Sequence, residues 1–329
     1  MNELNILVSG KARDHIGNAL PATLGGRPCR LVTMESASAE ALRDIDVALI
    51  SRDITGLSTK HVVSDGLERF YQILRSAPRL KWVHTHSAGL DRPIFGELAA
   101  QGVNVTASSG ANAEIVAHTA LAGMLALARR LPYFMRAQAR HEWSSLIAAG
   151  LPRDLTGQTA VIVGWGPIGR YLAELVKVIG LDVIVARHSG LPVPEAKACV
   201  SYQDLDRVLP QADWLILACP LTDSTSRLVD GNSLSLMPSG ASLVNVARGE
   251  VVVEQDLIAA LRSGALSSAF LDVFEHEPLG GESPLWDMEN VIVTPHSAGH
   301  SAGNYDRVIR IFLEKLNDWC KQEGAVSVP

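Results

Sequence analysis

Gly164, Gly166 and Gly169 occur as GWGPIG, directly after the apolar run TAVIV and before RYLAELVKVIG, whose apolar residues recur at helical spacing. Each glycine has a physical use at that spacing. The first makes a tight turn, the second lets backbone N–H groups approach a pyrophosphate, and the third lets a helix pack closely on a strand with its positive end toward the anion. Pro167 and Ile168 complete the loop. The strand-turn-helix context makes a dinucleotide-binding loop a better reading than an ordinary glycine turn. At the end of the next β-rich run, where an acidic side chain would bond the adenosine ribose 2′-hydroxyl, the chain reads Arg187-His188-Ser189. Arg187 offers a planar fork for a 2′-phosphate, with Ser189 and His188 as added donors, so NADP(H) is the expected cofactor and NAD(H) the alternative. A solvated arginine at a strand end is the competing reading.

Three further strings follow in order: NVARGEVV, LDVFEHEP and VIVTPHSAGHS. With the glycine loop they resemble the D-isomer-specific 2-hydroxyacid dehydrogenase family, and the resemblance runs along essentially the whole chain. It implies an α/β protein of two domains, a Rossmann dinucleotide-binding domain and a flavodoxin-like substrate domain, with a cleft between them. It also implies that Arg248 binds the substrate's carboxylate and carbonyl oxygen, that His296 is the proton donor and that Glu277 orients and charges the histidine. Asp272 is placed near the nicotinamide carboxamide by the same comparison. These residue types suit the implied reaction. Reduction of a 2-keto acid adds hydride to the carbonyl carbon while the oxygen gains a proton, which calls for a cation for the carboxylate and a general acid working near neutrality. A carboxylate beside an imidazole favours its protonated form and fixes its tautomer. Taken singly, Glu277 reads as a turn residue before Pro278 and His296 as a polar residue at a strand end; all three at strand ends of one sheet favour a site.

The string HTHSAGLD resembles the family's substrate loop, in which consecutive N–H groups of Ser87, Ala88 and Gly89 would hold the carboxylate as a backbone nest. A plain strand-to-helix turn reads nearly as well. Cys219, Pro220 and Leu221, with Thr225 nearby, and Val246 with Ala247 follow strand ends and are expected to wall the cofactor. Trp286 in SPLWDMENV resembles the branch that contains glyoxylate and hydroxypyruvate reductases, although its indole could equally be core or subunit interface. His118 replaces the family's acid at the end of the N-A-x-x-V-A string. The spacings of His84, His86, His118 and His300 make no metal site, and no metal is expected.

These groups need strands to carry them. Short β-type runs alternate with helical ones from the start: Leu4 to Val8, Cys29 to Met34, the helix SASAEALRD, Asp46 to Ser51, the helix DGLERFYQILRSA and Lys81 to Thr85. Such alternation predicts a parallel sheet covered on both faces. A long helical segment, Ala113 to Trp143, is expected to break at Pro132. Six β-rich runs follow: Thr159 to Val163, Asp182 to Ala186, Trp214 to Ala218, Ser242 to Asn245, Ser268 to Asp272 and Val291 to Thr294. They predict a complete dinucleotide-binding domain. The amphipathic tail, Asn304 to Lys321, is expected to return to the first domain. The predicted division is 1–118 completed by 299–329 for substrate, and 119–298 for cofactor.

Composition agrees with this class. At 329 residues and 47% apolar, the chain has ample core for two domains. With 29 basic against 35 acidic residues the net charge is −6 and no basic block occurs, so nucleic acid is not an expected partner. No run approaches the length of a membrane span and no signal peptide is visible, so a cytoplasmic protein without membrane partners is expected. Four scattered cysteines, Cys29, Cys199, Cys219 and Cys320, suggest reduced thiols. The apolar side chains of the Ala113 to Trp143 segment, among them Leu121, Met124, Leu125, Leu127, Leu131, Tyr133 and Phe134, point to a homodimer. The expected activity is reduction of a small 2-keto acid, glyoxylate or hydroxypyruvate, to the D-2-hydroxy acid. The alternatives are a dinucleotide-sensing, corepressor-like binding protein and an NAD-dependent dehydrogenase of another 2-hydroxy acid.

Overall fold

The computed structural model describes residues 3–17, 19–35, 37–59 and 62–326. The chain divides into two compact units, 1–112 with 301–329, and 113–300. These bounds lie a few residues from the expected 118/119 and 298/299. The helix Ala113–Ala128 is continuous and stays whole with the unit on which it packs.

In the first unit, β1 (Leu4–Leu7), β2 (Cys29–Val32), β3 (Val47–Ile50), β4 (Trp82–Thr85) and β5 (Asn104–Ala107) form a parallel sheet in the order β2-β1-β3-β4-β5. That is the flavodoxin-like order. The strands β3 and β4 are buried at every position, as a sheet covered on both faces requires. The helix Asp65–Ser76 supplies Leu67, Phe70 and Leu74 to one face; Ser64 caps it by accepting from the amide of Leu67, and it ends before Pro78. The other face carries Ile6, Leu49 and Trp82 against Ile309, Phe312 and Leu316 of the terminal helix Asn304–Val326. The tail therefore belongs to this unit. Within the expected helix SASAEALRD the structure forms Ala39–Arg43, and Ser36 at its start lies outside the described residues.

In the second unit, seven parallel strands follow: β6 (Thr159–Val163), β7 (Asp182–Ala186), β8 (Ala198–Val200), β9 (Trp214–Leu217), β10 (Ser242–Asn245), β11 (Ser268–Leu271) and β12 (Val291–Val293). Their order is β12-β11-β10-β9-β6-β7-β8. From β8 to β11 this is the 3-2-1-4-5-6 order of a dinucleotide fold, with β12 added at one edge. The six expected strands include β12 and omit β8, which has three residues and only one neighbour.

The expected helix break at Pro132 falls instead at Arg129-Arg130, where Arg130 adopts φ 53°. Pro132 then stands in the first turn of the helix Leu131–Ala139, where its missing N–H is harmless. Gly123 brings the preceding helix against β11, since a Cβ there would overlap the Phe270 ring. Met124 and Leu127 are consequently buried within their own unit. Leu131 and Phe134 stay exposed as expected, and further along Met135, Trp143, Ile147 and Leu151 are each more than two-thirds exposed. Among the described residues no helix is long and apolar enough to cross a membrane.

Candidate active site

The glycine loop joins β6 to the helix Pro167–Val178 at the point where strand order reverses between β6 and its neighbours β7 and β9. Gly164 has φ 108°, and a Cβ there would lie 2.7 Å from the carbonyl of Ala218 and the Cα of Cys219. A Cβ on Gly169 would overlap the carbonyl oxygen of Gly164, whereas one on Gly166 meets nothing within 4 Å. Two glycines are thus demanded by the close approach of backbone, and the third leaves an open face at the N-terminus of the helix. Pro167 there has no N–H to satisfy, and the next amides of the first turn have no partner within the helix. That cradle fits a pyrophosphate.

Beyond β7, Arg187 is half-buried while His188 and Ser189 are exposed. The Gly190 amide closes the turn onto the Arg187 carbonyl at 3.1 Å. No carboxylate pairs with Arg187 among the described residues; its charge acts on Cys199 and Tyr202 instead. A guanidinium beside two exposed donors suits a 2′-phosphate and leaves a 2′-hydroxyl without the usual acid. After β9, Cys219 is buried and its thiol is pushed up to about 12 by that burial. Pro220 is exposed and Leu221 half-buried. Thr225 is fully buried, donating to the Pro220 carbonyl at 2.6 Å and accepting from the Thr222 amide at 2.8 Å. Its side chain shapes this loop from behind. Val246 and Ala247, past β10, are nearly buried.

Three segments of the same unit converge around β10 and β11. Arg248 begins a short turn, Gly249–Val251, and its Nη1 donates to the carbonyl of Ala247 at 2.7 Å. A Cβ on Gly249 would overlap the backbone of Phe274, so the Arg248 turn lies directly on the loop that follows β11. On that loop, Glu277 accepts from the Phe274 amide at 3.2 Å through Oε1 and from His296 Nδ1 at 2.8 Å through Oε2. A carboxylate accepts only, so Nδ1 carries the hydrogen and Nε2 is left for other chemistry. The Glu277 side chain is 11% exposed and the His296 side chain 49%, which shields the charge while the imidazole reaches solvent.

His296 sits at φ 48°, a conformation that costs an L-residue about 1–2 kcal/mol. Asp272 and its strand end hold it there. The Asp272 carbonyl accepts from the His296 amide at 2.8 Å, and its carboxylate accepts from Thr294 Oγ1 at 2.5 Å and from the amides of Ser297 and Ala298 at 2.8 and 3.0 Å. Burial raises the Asp272 carboxyl above the usual range, against the opposite pull of these bonds and of nearby His296. Its oxygens are turned to the 294–298 segment. Asn245, which opens the string NVARGEVV and has no role expected from sequence, is also buried and bonds the loop that carries Arg248. Its only sequence signal is a polar residue closing the apolar run SLVN.

In the first unit, Ser87 Oγ donates to the Gly89 carbonyl at 2.9 Å and its amide leans on Thr85 Oγ1 at 3.4 Å, which folds Ser87, Ala88 and Gly89 into a tight turn after β4. His84 and His86 are buried and bonded to hydroxyls of the same unit. In the second unit, the His118 ring lies edge-on to Tyr171, the His300 amide bonds the Ser297 carbonyl, and Trp286 is half-exposed with its indole N–H on the Gly280 carbonyl.

Known proteins resemble this chain along most of its length. Residues 121–298 match the family model of the D-isomer specific 2-hydroxyacid dehydrogenase, NAD binding domain. A glyoxylate reductase of Thermococcus litoralis is 34% identical over 260 residues, 76% of each chain. A glyoxylate/hydroxypyruvate reductase B of Salmonella paratyphi A is 37% identical over 233 residues, 69% of this chain and 72% of that one. The crystal structure of an NADPH-dependent glyoxylate/hydroxypyruvate reductase from Sinorhizobium meliloti, in complex with citrate, superposes with a TM-score of 0.72 at 26% identity, covering 96% of this chain and 94% of that chain. The chain therefore belongs to the D-isomer specific 2-hydroxyacid dehydrogenase family and is an NAD(P)-dependent enzyme that reduces 2-keto acids.

Proposed function

We propose that the protein reduces glyoxylate or hydroxypyruvate to the D-2-hydroxy acid with NADPH, the first unit serving substrate and the second the cofactor. The observation that carries this reading is the 2.8 Å bond between Glu277 and His296 beside the Arg248 turn. A bound reduced nicotinamide supplies hydride to the carbonyl carbon. Arg248 holds the substrate's carboxylate and polarises the carbonyl, and His296 delivers a proton from Nε2 to the carbonyl oxygen as negative charge develops there. Glu277 keeps the imidazole oriented, holding Nδ1–H so that Nε2 faces the reacting oxygen. The turn of Ser87, Ala88 and Gly89 offers N–H groups to the carboxylate.

For the cofactor, Gly164, Gly166, Pro167, Ile168 and Gly169 would hold the pyrophosphate, and Arg187, His188 and Ser189 the 2′-phosphate. Cys219, Pro220, Leu221, Val246 and Ala247 would line its path, with Thr225 bracing the loop. The glyoxylate-reducing relatives and the NADPH-dependent Sinorhizobium enzyme support these choices. A homodimer is part of the proposal, because Met135, Trp143, Ile147 and Leu151 expose an apolar surface within one short segment. The test is NADPH oxidation with glyoxylate, hydroxypyruvate, pyruvate and 2-ketoglutarate in parallel. Turnover led by either of the first two supports the proposal, and inactivity with all four refutes it.

A further inference from the structure

Arg248 lies beyond the hydrogen-bonded ladder of its sheet. The amide of Val246 still bonds the Leu217 carbonyl of β9 at 3.2 Å, but the chain then leaves the strand in extended geometry before turning at Gly249. One buried side chain bridges this stretch. Asn245 Oδ1 accepts from the Ala247 amide at 3.0 Å, and its Nδ2 donates to the Arg248 carbonyl at 3.1 Å. The two partners fix the amide's orientation, since an N–H must face oxygen and a carbonyl must face nitrogen. These bonds grip the peptide planes on either side of the Ala247–Arg248 plane. The carbonyl of that middle plane receives Arg248 Nη1 at 2.7 Å.

Asn245 is 1% exposed, and its backbone carbonyl accepts from the Asp272 amide at 3.0 Å. Asn245 and Asp272 thus end adjacent strands, one bonded to the Arg248 loop and the other to the segment bearing His296. The Val251 amide also reaches the Arg248 carbonyl, at 3.3 Å, so the turn is closed from both sides.

We propose that Asn245 is the positioning residue of Arg248, setting through the backbone where the guanidinium meets the substrate's carboxylate. This rests on the reading of Arg248 as the carboxylate ligand. Loss of the side chain leaves the Ala247 amide without its acceptor and the Arg248 carbonyl without one donor, which loosens the peptide planes on both sides of the Ala247 carbonyl on which the guanidinium is folded. The consequence falls mainly on the keto acid, because the glycine loop and the Arg187 turn, which would hold the charged parts of the cofactor, belong to other strand ends, and Val246 and Ala247 would only wall its path.

The experiment compares wild type, Asn245→Ala, Asn245→Asp and Arg248→Gln, measuring KM and kcat for glyoxylate, the Kd of oxalate as an unreactive carboxylate probe, and the Kd of NADPH. Asn245→Ala is expected to raise KM and the oxalate Kd about 10- to 100-fold, equivalent to about 1.4–2.8 kcal/mol, with the NADPH Kd within about twofold of wild type. Asn245→Asp keeps the acceptor for Ala247 but not the donor for Arg248, and should fall between. Oxalate and NADPH affinities declining together, or a folded Asn245→Ala with unchanged KM, overturn the proposal. If Asn245→Ala does not fold, an Asn245→Asp variant with wild-type KM overturns it and an intermediate KM supports it. If Arg248→Gln itself turns over glyoxylate normally, the assignment of Arg248 fails and the proposal with it. Loss in Arg248→Gln without loss in Asn245→Ala defeats only the role of Asn245.

Discussion

His84 allows a prediction whose size follows from the structure. Its imidazole is fully buried in β4, with Nδ1 2.8 Å from Thr106 Oγ1 and Nε2 2.9 Å from Ser108 Oγ. The hydroxyl of Ser108 donates to the Thr85 carbonyl at 3.0 Å, so it accepts from Nε2–H. The indole N–H of Trp82 donates to Thr106 Oγ1 at 2.8 Å, leaving the threonine hydroxyl to donate to Nδ1. Every group in this chain is satisfied by a neutral imidazole, and a second ring proton would face a hydroxyl hydrogen. Burial, with the charges of Lys315 and His86, lowers the His84 pKa from the ordinary 6.5 to about 3.

The unfolded chain therefore binds a proton between those values and the folded chain does not. Stability from this group is complete above pH 6.5 and is lost as pH falls, at about 1.4 kcal/mol per pH unit, or about 2 kcal/mol by pH 5. His84→Gln removes the titration at a packing cost independent of pH. The assay is guanidinium unfolding from pH 8 to pH 5, read by hydrogen exchange of peptides from β4 so that the first unit alone is followed. The wild-type advantage over His84→Gln should be constant above pH 7 and shrink by about 2 kcal/mol at pH 5. An advantage unchanged across that range would refute the argument.

Two further outcomes concern cofactor and assembly. A charge-assisted contact from Arg187 is worth roughly 1.5–3 kcal/mol, so kcat/KM should favour NADPH over NADH by about 10- to 100-fold, less at high salt, and Arg187→Asp should reverse the order; equal efficiency in wild type would reject this role. Sedimentation at micromolar concentration should show a species of twice 35.3 kDa that Trp143→Asp with Ile147→Asp converts to monomer, and a wild-type monomer would exclude the proposed dimer.

The parts of the fold most legible in the sequence are those with strong local periodicity. The apolar runs of β6, β7, β9 and β10 and the amphipathic helix Asp65–Ser76 fall where their patterns place them. β8 escaped because ACV is too short to show alternation and is held by a single neighbour. β5 escaped because NVTA is mixed in polarity at an edge. At the site, glycines at fixed offsets were readable because backbone collisions allow nothing else at Gly164 and Gly169. The bond between Glu277 and His296 joins residues that local sequence leaves separate, and only the motif resemblance paired them. Asn245 and the inward-turned carboxylate of Asp272 were not readable, since both act through tertiary hydrogen bonds across neighbouring strand ends. The apolar residues from Leu121 to Phe134 divide by packing. Met124 and Leu127 meet the core beneath Gly123, while Leu131 and Phe134 stay exposed together with Met135, Trp143 and Ile147.

The central claim is that His296, held by Glu277, gives the proton that completes 2-keto acid reduction. Its most direct measurement is kcat for glyoxylate with His296→Gln, alongside the NADPH Kd of the same variant. General acid catalysis is worth about 10²–10⁴-fold, so kcat should fall by that factor while NADPH binds as in wild type. A variant that keeps wild-type kcat, or that loses activity only because NADPH no longer binds, would contradict the account.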